Sequence, residues 1–516
     1  MKSITTGIGF HEKMLVLLLL VFLLGGLWGL GHRSVIADEM QHTALPIFMY
    51  DFMRYWGGHP AMGFEDIVAY GMQYHTHYHI FTSVIHHPPL IRIPVLASFI
   101  AFGISEFSAR LVSLIFGLIG IIFTYKLAML ITGDRRASLL SAAILALVPA
   151  YFEYSRLAML EVPLLAMSVM VVYFFYRYVL GKKRRDAVVF GITLGLCMLS
   201  KNYGFVIVFP LLLYAVISKK YQLFRDGNMY LALFIAAIIA VPWFAFASVF
   251  PQLIEIPYSL SVHYSRYLGL SLSNIPQIPG FFLQQFSYVL GLLTLAAAAY
   301  SFYLRDKDDF LLLSLVSFYY IFFGFFITSS FGNFDRFVMA ALPAFAILDA
   351  KFIIKLMGLP QVKRYGVLVI IALVISSLPL LVLHTLAAEI RYPVEDAVIW
   401  VLGNTPYGGG YIYTDYSQLF YFLKNDRNLS VRVGEGRSLE ALDSLLNSTF
   451  ASPKHESLGI ENPTYYYLIL RYPLRDMIAA RPDFVDYVEN GPCFSPVRTF
   501  GEERRVVVFR VEGVCR

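Results

Sequence analysis

What most limits the folds open to this chain is its succession of long apolar runs. A helix needs about 20 mostly apolar residues to cross the hydrocarbon of a bilayer. Eleven stretches approach that length: 14–31, 108–131, 137–152, 161–180, 187–200, 203–218, 229–250, 281–303, 310–328, 337–356 and 365–387. A further run, 90–104, is shorter and broken by Pro94, which predicts a re-entrant or interfacial helix. Composition points the same way. Of 516 residues, 58% are hydrophobic and 15% charged, against roughly 25% charge in soluble proteins. That is more apolar surface than an aqueous globule buries, and it rules out a disordered chain. The predicted fold class is an α-helical multi-pass membrane protein with about eleven transmembrane helices over residues 1–387.

The cations set an orientation. They gather in every second connection: Arg135 and Arg136; Lys182, Lys183, Arg184 and Arg185; Lys219, Lys220 and Arg225; Arg305 and Lys307; Lys363 and Arg364. Loops enriched in Lys and Arg stay in the cytoplasm. With an odd number of spans, the amino terminus is then cytoplasmic, and loops 32–89 and 251–280 and residues 388–516 lie outside. The predicted location is the cell membrane, with the bilayer as a partner. Net charge is only +6, and no basic block has the pattern of a nucleic-acid surface. Lys2, Lys13, the first apolar run and Val35-Ile36-Ala37 also have the form of a signal peptide cleaved before Asp38. An apolar core of about 17 residues is long for such a peptide, which favours a retained anchor.

Residues 388–516 differ in character. Gly408-Gly409-Gly410 reads as a turn, 411–414, 464–470 and 505–511 as strands, and 394–402, 416–423 and 438–447 as helices. A small extracytoplasmic α/β domain of 129 residues is expected. Of the three cysteines, Cys197 falls in an apolar run, whereas Cys493 and Cys515 fall here, where an oxidising exterior permits a disulfide. Asn428-Leu429-Ser430 and Asn447-Ser448-Thr449 are glycosylation sequons on the same side.

Ionisable groups beside a bilayer are costly, so those retained are functional candidates. Asp38-Glu39 follows the first run; adjacent carboxylates there can divide proton acceptance and substrate or metal orientation, or form a solvated helix end. Eight of the twelve histidines lie within residues 32–87. His75, His77 and His79 alternate, so an extended backbone would put three imidazoles on one face, as a metal site needs; hydrogen-bonding loop histidines are the plainer reading. His86-His87-Pro88-Pro89-Leu90 ends the loop on a stiff, extended segment. Ser155-Arg156 precedes Glu161, which opens an apolar run and should face a cavity or a cation, Arg156 being one structural partner available to it. Lys201, Arg266, Asp335 and Arg336 are further charges on the outer side, where cations suit an anion at headgroup level.

These segments also come in a telling order. Asp38-Glu39, His87-Pro88-Pro89-Leu90, Ser105-Glu106-Phe107-Ser108-Ala109-Arg110, Ser155-Arg156 with Glu161, Leu199-Ser200-Lys201 and Asp335-Arg336-Phe337 before Leu342-Pro343 together resemble the protein mannosyltransferase superfamily. That superfamily includes the dolichyl-phosphate-mannose protein mannosyltransferases and the lipid A aminoarabinose transferases, all of the GT-C membrane fold. The resemblance runs over residues 14–350, most strongly 35–205. It implies a sugar donor linked to polyprenyl phosphate, a protein or glycolipid acceptor, and inverting transfer to an acceptor hydroxyl. Asp38 matches the catalytic base and Glu39 its supporting partner. Glu161 stands where relatives usually have aspartate. His86 and His87 occupy the positions of a metal-binding acid and a phosphate-binding lysine in the aminoarabinose transferases. His263-Tyr264-Ser265-Arg266 resembles their His-x-x-Arg element, so a divalent metal on His86 and His263 is implied on that side of the superfamily and not on the mannosyltransferase side. Lys201, Arg266 and Arg336, with His87 and Arg156, are the candidates for binding the donor.

The chemistry suits a membrane. A polyprenyl chain confines its phosphate and sugar to headgroup level, where fixed cations stabilise the charge that grows on the departing phosphate. The chain has no Gly-rich phosphate loop and no cytosolic domain for a sugar nucleotide. A transporter or flippase would put its charges near mid-bilayer on broken, repeat-related helices; here they lie at one face and no repeat is visible. A non-catalytic scaffold gives no reason for carboxylates and histidines to gather.

Overall fold

The computed structural model describes residues 9–32, 37–58, 87–253, 276, 288–304, 306, 308–326, 334–360, 363–386 and 393–404, with strand residues 410–414, 431–434, 466–471, 494–500 and 506–511. They fall into two units: a helical one of Met1–Gly31, Val84–Ser98 and Glu106–Ala388, and a second of His32–Ser83, Phe99–Ser105 and Glu389–Arg516.

Each of the eleven apolar runs holds a helix. The helical unit contains α1 (Phe10–Leu27), α4 (Glu106–Thr132), α5 (Arg135–Leu147), α6 (Pro149–Ser155), α7 (Glu161–Gly181), α8 (Arg184–Met198), α9 (Val208–Ile217), α10 (Gly227–Leu253), α11 (Tyr288–Leu304), α12 (Asp309–Phe326), α13 (Phe334–Val338), α14 (Leu342–Met357) and α15 (Lys363–Leu386). Helix α2 (Ala37–Gly58) falls between its segments, and α3 (Arg92–Phe102) begins in its segment Val84–Ser98 and ends in the second unit. Six helical spans among the described residues are long and apolar enough to cross a membrane, or seven if α5 and α6, bent by 68°, count as one. Three of the other runs make shorter helices, α8 of 15 residues, α9 of 10 and α11 of 17, whereas α15 has 24. A 15-residue helix such as α8 extends only about 22 Å, less than the ~30 Å hydrocarbon thickness. The protein is thus a multi-pass membrane protein. Run 90–104 differs from expectation: Pro94 does not break it, because α3 starts at Arg92 and the proline falls in the first turn, where no intrahelical donor is needed.

Close helix contacts depend on small residues. On α8, Gly191 and Gly195 meet Ala232 and Ala236 of α10; a Cβ at Gly191 would stand 2.4 Å from the Ala232 carbonyl oxygen. This is the small-xxx-small pattern that lets helices approach within the bilayer. Polar side chains join the helices elsewhere, as where the Tyr151 hydroxyl donates to the Gly117 carbonyl at 2.5 Å. The most enclosed spans are α7 and the one comprising α13 and α14.

Ion pairs tie the cation-rich connections to one another or to neighbouring helices. Arg135 pairs with Glu12 at 3.4 Å, Lys182 with Asp226 at 3.2 Å, and Lys351 with Asp306 at 3.4 Å. The Tyr176 hydroxyl donates to Asp308 at 2.6 Å. The carboxyl end of α7 therefore shares one end of the unit with the connections before α10 and before α12. The amino-terminal end of α7 lies at the other.

In the second unit, α2 is a 22-residue helix containing Pro46. Helix α16 (Pro393–Asn404) packs on a five-stranded sheet of order β2-β1-β3-β5-β4, with β1 Gly410–Thr414, β2 Val431–Gly434, β3 Tyr466–Arg471, β4 Phe494–Phe500 and β5 Val506–Val511. Strand β1 runs parallel to β2 and β3, whereas β5 is antiparallel to β3 and β4. The guanidinium of Arg498 sits over the Trp400 ring at 5.6 Å. The sequence reading missed β2, which has only four residues, and β4, where Pro496 argues against a strand. Edge position and a register shift between Pro496 and Arg498 accommodate that proline. The expected helices 416–423 and 438–447, both sequons, Cys493 and Cys515 lie outside the described residues.

Candidate functional site

At the amino-terminal end of α7 a buried ion cluster assembles from three separate stretches. Glu161 is the first residue of α7, where the helix dipole favours an anion, and its side chain is fully buried. Lys201 lies just beyond α8, in a turn closed by the Gly204 N–H donating to the Lys201 carbonyl at 2.7 Å. Arg336 is on α13. The Lys201 ammonium and the Arg336 Nε each stand 2.7 Å from the same oxygen, Glu161 Oε1. Lys201 and Arg336 keep 9% and 14% of their side chains exposed, so the accessible edge of the cluster is its cationic one. Lys201 also lies over the rings of Tyr203 at 4.9 Å and Phe337 at 5.5 Å, which fix the ammonium and limit water around it.

Other sequence-predicted segments converge on it. The Leu90 N–H donates to the Leu199 carbonyl at 3.0 Å, so His87-Pro88-Pro89-Leu90 is bonded to Leu199-Ser200-Lys201. His87 is half-buried, three residues from that bond.

Arg156 is bonded to the end of α1. Its Nε donates to the Gly26 carbonyl at 3.3 Å and its Nη2 to the Trp28 carbonyl, at the end of α1. Arg110, a position to which the sequence reading gave no role, is buried and donates from Nη1 to the Leu30 carbonyl at 3.0 Å. Two guanidiniums thus hold one carbonyl in the last turn of α1, at Gly26, and two just beyond it, at Trp28 and Leu30. Close approach makes this possible: Gly29 has φ +62°, and a Cβ at Gly26 would come within 2.4 Å of Leu114 Cδ1.

Asp38 and Glu39 are both in α2. Glu39 is buried, and its carbonyl accepts from the Thr43 hydroxyl at 2.8 Å; the Asp38 side chain lies outside what is described. His86, His263 and Arg266, and with them the His75, His77 and His79 triplet, also lie outside the described residues. Among the described residues no three His, Cys, Asp or Glu side chains gather in a way that would hold a metal ion. Tyr203 and Phe337 were missed as parts of the site, although each stands beside a predicted cation.

The fold is shared with solved membrane proteins, and part of the chain matches one family profile. Residues 86–246 match the sequence profile of the family described as dolichyl-phosphate-mannose-protein mannosyltransferase, a stretch that includes His87, Glu161 and Lys201. ArnT from Cupriavidus metallidurans in the apo state superposes with a TM-score of 0.68 at 15% identity, over 96% of this chain and 97% of that one. The same protein bound to undecaprenyl phosphate gives 0.63 at 16% identity. The apo oligosaccharyltransferase of Archaeoglobus fulgidus gives 0.56 at 14% identity, over 89% of this chain and 69% of that one. In sequence, an uncharacterised protein of Aquifex aeolicus (strain VF5) is 25% identical over 304 residues, 57% of this chain and 58% of its own length. The chain therefore aligns with little more than half of that curated relative.

Proposed function

We propose that this chain is a glycosyltransferase that takes a sugar from a polyprenyl-phosphate carrier and transfers it, with inversion, to an acceptor hydroxyl on the external side of the membrane. One observation carries the reading: Lys201 and Arg336 share a single buried oxygen of Glu161, at the end of the bundle opposite the cation-rich loops. A carboxylate beneath two cations holds them in place, and cations so held suit a phosphate confined to headgroup level. The superposition on ArnT, solved with undecaprenyl phosphate, supports the same ligand class. By the charge bias of the loops, this end faces outward.

In this reaction the acceptor hydroxyl gives its proton to the Asp38 carboxylate as its oxygen bonds to the anomeric carbon. The bond from that carbon to the phosphate oxygen breaks on the opposite face, and the bonding pair leaves with the polyprenyl phosphate. Lys201 and Arg336, joined by Arg266 and His87, meet the charge that grows on the leaving phosphate. A positioned general base typically contributes ~10²–10⁴-fold. Glu39 supports the base, and the 388–516 domain shapes access for a protein or glycolipid acceptor.

The test incubates membranes bearing the chain with radiolabelled polyprenyl-phosphate sugars and follows the label. Transfer that is lost in Asp38→Asn and Glu161→Gln supports the reading. Parental transfer in both variants, or no transfer from any polyprenyl-phosphate donor, overturns it.

A further inference from the structure

The opposite end of the helical unit carries a surface that the transfer reaction does not use. Lys182, Lys183, Arg184 and Arg185 lie between α7 and α8, and Lys219, Lys220 and Arg225 between α9 and α10. The two connections form one patch, because Lys182 Nζ stands 3.2 Å from Asp226 Oδ2. Asp226 caps α10, accepting from the Asn228 N–H at 3.1 Å. All seven cations are exposed, and two carboxylates neighbour them: Asp186, held by Arg177 at 3.0 Å, and Asp226. The other six cations form no ion pair among the described residues.

Their placement runs against local preference. Arg184 and Arg185 occupy the first turn of α8, where the helix dipole disfavours positive charge. Lys182 and Lys219 have φ of +50° and +54°, the only non-glycine residues in that region among those described. Glycine takes such a conformation freely and a lysine does not. The short 3₁₀ segment Tyr221–Arg225 buries Leu223 and leaves Tyr221 and Phe224 exposed beside the cations, with Tyr230 nearby. Tyrosines in such a position anchor at the membrane interface. Because the patch flanks the ends of spans α7 and α10, it lies at the depth where lipid phosphates sit.

We propose that this surface is a binding site for anionic phospholipid headgroups of the adjoining leaflet. The phosphodiester and net negative charge of such a lipid match the unpaired cations, while its acyl chains lie along the helix ends. The proposal is independent of the transferase reading.

The full-length protein, purified and delipidated in detergent, is titrated with phosphatidylglycerol or phosphatidylcholine, and retained lipids are counted by native mass spectrometry. The parent is expected to retain phosphatidylglycerol with a preference of at least about tenfold. The variant K183Q/R184Q/R185Q/K220Q/R225Q loses that preference, and K183R/R184K/R185K/K220R/R225K keeps it. Equal retention of both lipids by the parent overturns the proposal, as does an unchanged preference in the glutamine variant. Displacement of phosphatidylglycerol by an equal concentration of hexaglutamate also overturns it, since the surface would then be a general polyanion site. Should the glutamine variant fail to fold, the parent decides the matter: a preference that does not fall between about 0.05 and 0.5 M NaCl refutes a headgroup site.

Discussion

Arg336 and Glu161 are 175 residues apart in the chain, yet Arg336 Nε lies 2.7 Å from Glu161 Oε1. The bond joins the start of α7 to α13 at one end of the bundle and leaves the acid wholly covered by protein. A buried carboxylate needs such partners, and removing one from a buried pair typically costs ~3–5 kcal/mol.

Glu161→Gln is accordingly expected to release both cations and lower transfer at least about tenfold, mainly through a higher KM for the polyprenyl-phosphate donor. Lys201→Met and Arg336→Met should weaken the donor in the same sense. A double-mutant cycle over Glu161 and Arg336 should show coupling of about 1 kcal/mol or more. Additive losses would mean that the pair does not act as a unit.

Asp38→Asn keeps the shape of the side chain and removes its basicity. The expected result is a kcat lowered by about 10²–10⁴-fold with donor KM little changed. Unaltered single-turnover rates in membranes would exclude Asp38 as the base.

Arg110→Met tests the clamp on α1. It leaves the Leu30 carbonyl without its guanidinium donor, an expected loss of about 1–3 kcal/mol, seen as a lower Tm in detergent. Arg156→Met should do the same at Gly26 and Trp28. Unfolding temperatures equal to the parent's in both variants would mean that the clamp is dispensable.

Gly191→Ala places a methyl group against the Ala232 backbone, which cannot yield as a side-chain tip would. Overpacking of this kind typically costs ~1–3 kcal/mol, so the variant should unfold earlier. Gly227→Ala, where nothing lies within 4 Å, is the control and should be near neutral.

Asp226 makes one joint between loops depend on pH. The Tyr178 hydroxyl and then the Lys182 ammonium hold its carboxyl below the ordinary value. Because the folded pKa is the depressed one, this stabilisation is complete above the unfolded value of 3.8 and fades as pH falls through the folded one. Asp226→Asn should therefore flatten the acid limb of a Tm-versus-pH curve and lower Tm near neutrality. An acid limb identical to the parent's would remove Asp226 from the account.

The helices were legible from the chain alone, because bilayer hydrocarbon demands continuous apolar runs whatever their neighbours are. All eleven runs hold helices, Glu161 stands out in the chain as an acid opening an apolar run, and Lys201 and Arg336 stand out as cations suited to an anion at headgroup level. Run length did not tell which helices are long enough to cross. The stretch 137–152 reads as one continuous apolar run, yet α5 and α6 bend by 68° at Val148-Pro149. The sheet was half legible: β1, β3 and β5 follow β-branched and aromatic runs, whereas β2 and β4 are held by pairing with their neighbours.

Sequence by itself thus determined the medium, the helical segments and the residue types that could do chemistry there, since all three follow from the cost of polar groups next to lipid. Tertiary structure alone decided the partners. It gave Glu161 to Lys201 and Arg336, and it turned Arg156 toward the carbonyls of Gly26 and Trp28. Ion pairing depends on distances of a few ångströms between segments far apart in the chain, and those distances exist only once the helices have packed.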